Sequence, residues 1–68
     1  MTFTVQGIVT GHRHSHVFAE EVESKIAVLI PRNEMPPQVW ILLTQGARIE
    51  FEVGVNFKGL AGRKAVLI

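Results

Sequence analysis

Gly46-Ala47-Arg48-Ile49-Glu50-Phe51-Glu52-Val53-Gly54-Val55 alternates without a break from Ala47 onward. Ala47, Ile49, Phe51, Val53 and Val55 are apolar, while Arg48, Glu50, Glu52 and Gly54 are polar or glycine. Successive side chains of a strand point to opposite faces, so this spacing predicts a strand over 47–55 with one dry face and one wet face. A loop containing Gly59 and Lys58 follows, and 61–68 reads as a closing strand. A segment so clearly β in so short a chain predicts a small barrel, in which few edges are left open.

Working back towards the N-terminus, Phe3, Val5 and Val9 lie on one register, with Thr4, Gln6, Ile8 and Thr10 on the other. This predicts a first strand over 2–10, with Gly7 marking a bend or a close approach on the apolar register. Gly11 to His14 reads as a polar turn. In the second strand His16, Phe18 and Glu20 share one face, and Val17 and Ala19 the other. The slipped alternative buries His16 and Glu20 together, which is costly without a partner, so the pattern favours an outward Phe18. Glu21 to Ser24 reads as a turn. Lys25 to Ile30 reads as a third strand with Ile26, Val28 and Ile30 on one side, stopped by Pro31. Residues 31–46 carry the weakest pattern. Pro36-Pro37 excludes a helix running through that point, Arg32 to Met35 has room for one turn before it, and Gln38 to Thr44 reads as a short extra strand or a flap against the barrel.

Sixty-eight residues fit one domain, 1–68, near the lower limit for a self-sufficient core. There is no cysteine, so neither disulfides nor thiolate metal sites brace it, and apolar burial must supply the stability. The run Val39-Trp40-Ile41-Leu42-Leu43 is far shorter than the ~20 residues that span a bilayer. Met1 to Thr4 lacks the basic and apolar regions of a signal peptide, so a cytoplasmic location is expected. The net charge of +1 argues against a strong nucleic-acid binder, because sequence-independent affinity comes from neutralised phosphates. Its distribution is uneven: Lys58 to Lys64 holds three cations and no acid, whereas Glu20, Glu21 and Glu23 cluster in one hairpin.

Five strands with an irregular connection between the third and fourth follow the order of an OB-fold. Gly7-Ile8-Val9-Thr10-Gly11-His12-Arg13, Leu29-Ile30-Pro31-Arg32-Asn33-Glu34-Met35, Gly46 to Val53, Lys58-Gly59 and Gly62-Arg63-Lys64 together resemble the cold-shock domain. Within that group they are most similar to the cold-shock-type domains at the front of bacterial exoribonucleases of the ribonuclease II and ribonuclease R kind. The resemblance spans nearly the whole chain and implies an all-β, five-stranded OB-fold barrel of the cold-shock type. Between Met35 and Gly46 the chain is several residues longer than the family pattern. The resemblance also implies binding of single-stranded RNA or DNA on the face of strands two and three, where bases stack on aromatic side chains. The family's Lys-Gly-Phe-Gly-Phe motif maps onto His14-Ser15-His16-Val17-Phe18, and its Val-Phe-Val-His-Phe motif onto Val28-Leu29-Ile30-Pro31-Arg32. Only Phe18 keeps a phenyl ring; His16 is a smaller ring, Leu29 and Arg32 replace phenylalanines, and Gly11 stands where the family usually has tryptophan. Affinity is therefore expected to fall well below that of aromatic-rich relatives.

The nucleic-acid-binding set expected from these readings is His12, Arg13, His14, His16, Phe18, Leu29, Arg32, Lys58, Arg63 and Lys64. On an extended segment His12, His14 and His16 would face one way, about 7 Å apart, a spacing suited to pairwise chelation but not to one shared ion. No carboxylate or cysteine completes a tetrahedral site, so no metal and no cofactor are expected. Histidine as a residue type titrates near neutrality, so anion binding through such a cluster should strengthen below about pH 6.5. Arg48, Glu50 and Glu52 suit cross-strand pairing better than ligand contact. No nucleophile, base and orienting group stand out, so no enzyme is expected. Two alternatives stay open for the 36–43 insert: a plug at the barrel end, or a protein contact, with a homodimer through Val39, Trp40, Ile41 and Leu42 as its leading form.

Overall fold

The computed structural model describes residues 2–54 and 62–68. Five antiparallel strands are present: β1 (Thr2–His12), β2 (His16–Glu21), β3 (Ala27–Pro31), β4 (Arg48–Gly54) and β5 (Gly62–Leu67). They form one sheet in the order β3-β2-β1-β4-β5. The sheet curls into a half-barrel, compatible with an OB-like fold, that brings its two outer strands, β3 and β5, towards each other. The expectation of an all-β, five-stranded chain holds, with a half-barrel in place of a full barrel and one short helix added to the strands.

Strand parity decides the core. Val17 and Ala19 of β2, Val28 and Ile30 of β3 and Ile49 and Phe51 of β4 are all essentially inaccessible, as the period-two pattern requires. Val9, Met35, Trp40, Leu43 and Ala65 complete the cluster. Two glycines make the tight curl sterically feasible. A Cβ on Gly7 would stand 2.8 Å from Phe51 Cε1, and one on Gly62 would stand 2.7 Å from Ile30 Cγ1 and 2.9 Å from Phe51 Cδ2. Phe51 therefore packs directly on the backbone of β1 and β5, and Gly62 lets β5 close against β3. The close approach expected at Gly7 is present.

Two ladders carry an irregularity. In β1–β2, Val9 pairs with Ala19 and Gly11 with Phe18, so Thr10 is an extra, bulged residue. Past this bulge β1 continues to His12, beyond the end expected from its alternation. In β4–β5, Glu50 pairs with Val66 and Glu52 with Arg63, which sets Lys64 and Ala65 opposite Phe51 alone. Lys64 adopts φ 54°, the left-handed conformation that such bulges favour.

The connection from β3 to β4 contains a 3-10 turn, Arg32–Glu34, where a single turn was expected, and then a helix, α1 (Pro37–Leu42). This helix replaces the short strand or flap expected over 38–44. Pro37 occupies the first helical position, where its missing N–H would have no partner and its fixed φ is already helical. The N–H groups of Val39 and Trp40 both donate to the Pro36 carbonyl, at 3.0 and 3.1 Å. Helical spacing turns Val39, Trp40 and Leu43 inward and leaves Ile41 and Leu42 outside. A strand would instead have split Trp40 from Leu43. Among the described residues no helix is long and apolar enough to cross a membrane.

Candidate functional site

The outer face of β2 and β3 is set by the same parity that fills the core. With Val17 and Ala19 fully buried, Phe18 points outward and is half-buried, opposite Leu29 of β3. On its other side Phe18 meets Gly11, where a Cβ would stand 3.6 Å from Cδ2, so the ring lies along the β1 backbone. The neighbouring outward residue, His16, packs its imidazole perpendicular to the Phe18 ring, with ring centroids 5.0 Å apart and planes at 87°. His16 Nδ1 and Ser15 Oγ share a 2.9 Å hydrogen bond, which orients the imidazole. His16 pairs with Pro31 at the end of β3. These contacts gather His16, Phe18 and Leu29 into one surface of two rings and an aliphatic side chain.

The Thr10 bulge sends His12 elsewhere. His12 pairs with inward-facing Val17, and its ring lies 4.4 Å from that of Trp40, tilted by 47°. The expected common orientation of His12, His14 and His16 is therefore absent: His12 joins Trp40 at the barrel end, and His16 joins Phe18 on the outer face. Among the described residues no three His, Cys, Asp or Glu side chains gather in a metal-binding group.

Trp40 also carries Arg32, whose guanidinium carbon lies 4.8 Å from the ring centroid. The indole is only 9% exposed while Arg32 itself faces solvent, so this cation–π contact is worth about 0.5–1 kcal/mol. The backbone prepares it: Arg32 N–H donates to the Ser15 carbonyl at 2.9 Å and ties the 3-10 turn to the β1–β2 turn. Arg13 is exposed in that turn, its N–H closing it on the His16 carbonyl at 2.8 Å. Between the β1–β2 turn and α1 lies an open groove of about 800 Å³, with Arg32 and His14 at its rim and Met35, Pro37, Trp40 and Ile41 along it. Sequence periodicity carried no sign of this arrangement, because it joins residues on four separate elements.

The remaining expected residues sit apart. Arg63 is exposed and lies opposite Glu52, in keeping with the cross-strand role expected for β4 acids. Lys64 borders a separate depression with Asn33 and Glu34. Lys58 lies outside the described residues. Of the four residues expected at a protein contact, Trp40 is buried and Val39 packs on the core within the chain itself, whereas Ile41 and Leu42 are 77% and 63% exposed.

At the opposite end of β2 the hairpin to β3 is acidic. The Glu21 carboxylate accepts hydrogen bonds from the N–H groups of Glu23 at 2.8 Å and Ser24 at 3.0 Å. These bonds hold its pKa below the ordinary glutamate value, with Lys25 adding a smaller favourable charge. Fold and surface together define a small half-barrel with a ring-bearing face, basic at one end and acidic at the other. No family model and no curated relative matches the chain.

Proposed function

We propose that the protein is a small, non-enzymatic nucleic-acid-binding module that takes single-stranded RNA or DNA across the face of β2 and β3. The observation that carries this reading is Phe18, turned outward between two fully buried neighbours and set perpendicular to the His16 ring. Every base has a π-face, so such rings grip a strand without reading its sequence, at roughly 1–3 kcal/mol per stacked base. Arg13, His14 and Arg32 stand at one end of this face to meet phosphates. With three or four cations engaged, log affinity should fall against log salt with a slope of about −2 to −3, at ~0.7 per neutralised phosphate. Titration of a labelled single-stranded oligonucleotide by fluorescence anisotropy tests the reading. Phe18→Ala should weaken binding by roughly 1–3 kcal/mol and leave a folded protein. Equal binding by the two proteins would contradict it.

Ile41 and Leu42, exposed side by side on α1, support a second reading as a protein-contact module or homodimer. Light scattering that shows a dimer, dissolved by Leu42→Glu while oligonucleotides remain unbound, would favour that reading.

A further inference from the structure

We propose that the groove between the β1–β2 turn and α1 holds one nucleotide unit, its base flat on the outer plane of the Arg32 guanidinium and its phosphate towards His14. This rests on the strand-binding reading above and extends it beyond the sheet, to the segment that contains α1.

Three observations point to this occupant. Arg32 is exposed, yet its guanidinium carbon sits over the Trp40 ring, 4.8 Å from the centroid, and its backbone is anchored to Ser15. A guanidinium held over a ring on one side leaves its other side free as a planar, π-like surface, and unstacked bases use such planes as readily as aromatic rings. Preorganisation by Trp40 lowers the ordering cost of that contact. The charge is also suited: the described residues that line the groove include Arg32 and His14 and no carboxylate, so an anion is admitted without repulsion. Finally, the volume of about 800 Å³ lies within the range of small-ligand sites, and the apolar walls from Met35, Pro37 and Ile41 match a base better than a bare ion. The groove is continuous with the Phe18 face through Ser15 and Pro31, which border it next to His16. A strand lying on β2 and β3 can therefore pass one nucleotide into it.

The test is a titration of the uniformly 15N-labelled full chain with adenosine monophosphate, adenosine and inorganic phosphate, each up to about 10 mM, followed by amide shifts and by the emission of Trp40, the sole tryptophan. The nucleotide should shift the amides of Ser15, Arg32, Asn33 and Ile41 and quench Trp40, with adenosine and phosphate each at least about tenfold weaker. Ile41 is 77% exposed, so its substitution leaves the core intact. Ile41→Glu should weaken nucleotide binding about tenfold more than Ile41→Lys does, because only the carboxylate repels the phosphate. Phosphate binding as tightly as the nucleotide, or unmoved groove amides at the highest nucleotide concentration, would overturn the proposal. If those amides stay unmoved while an oligonucleotide still shifts His16 and Phe18, the groove fails alone. If the oligonucleotide also shifts nothing, the strand-binding reading fails with it.

Discussion

At the His16 end of β2 the chain presents rings and cations: His16 against Phe18, His12 and Arg32 against Trp40, and Arg13 and His14 in the turn. At the Glu21 end, about 16 Å away along the strand, it presents Glu20, Glu21 and Glu23 beside exposed Ile26. The two ends also stabilise their turns differently. The basic end is held by tertiary packing, because α1 lays Trp40 across it and the 3-10 turn bonds to Ser15. The acidic end is held locally, by Glu21 accepting two N–H bonds from its own turn and by Lys25 at φ 63°. A net charge of +1 hides this polarity, and the arrangement of charge, not its sum, sets where an anion can dock.

The contrast can be broken most severely at Trp40. Trp40→Ala removes the wall of the basic end together with a buried core ring, and should cost about 3–5 kcal/mol in urea unfolding. A loss below about 1 kcal/mol would mean that the basic end does not depend on α1. Gly7→Ala is the next largest. The added methyl meets Phe51 Cε1 at 2.8 Å and the Glu20 carbonyl at 3.1 Å, so roughly 1–3 kcal/mol should be lost as strands shift. An unchanged midpoint would show that the β1–β4 curl has slack.

The acidic end should respond more gently. Lys25→Gly relieves a left-handed non-glycine residue and should raise stability by roughly 0.5–1 kcal/mol. A decrease would show that the Lys25 charge outweighs its backbone cost. Glu21 supplies the smallest effect, and its sign follows from linkage. Its folded pKa is depressed, so its contribution is present above the ordinary value of 4.5 and is lost as pH falls through the lower folded value. Glu21→Gln should therefore flatten the acid limb of the stability curve below pH 4.5. Parallel acid limbs for the two proteins would remove Glu21 from the turn's stabilisation.

The strands were legible because a single period decides both their existence and their inner face. Val17 and Ala19 against His16 and Phe18, and Ile49 and Phe51 against Arg48 and Glu50, needed no tertiary information. The helix was not legible. Pro36-Pro37 reads as a break, yet Pro37 at the first helical position starts α1, and five consecutive apolar residues mask any helical period. The Thr10 bulge leaves no local signal either, so the parting of His12 from His16 could not be read. The candidate site was half visible for the same reason: its β2–β3 face follows from alternation, while the Arg32–Trp40 contact depends on how α1 docks.

The central claim, that one end of the β2–β3 face engages a strand and the other does not, is tested most directly by mapping amide shifts on titration with a short single-stranded oligonucleotide. Shifts should concentrate on Arg13, His14, His16, Phe18, Leu29 and Arg32 and leave Glu21, Val22, Glu23 and Ser24 unmoved. Shifts centred on the Glu21 turn, or none anywhere at low salt, would contradict the claim.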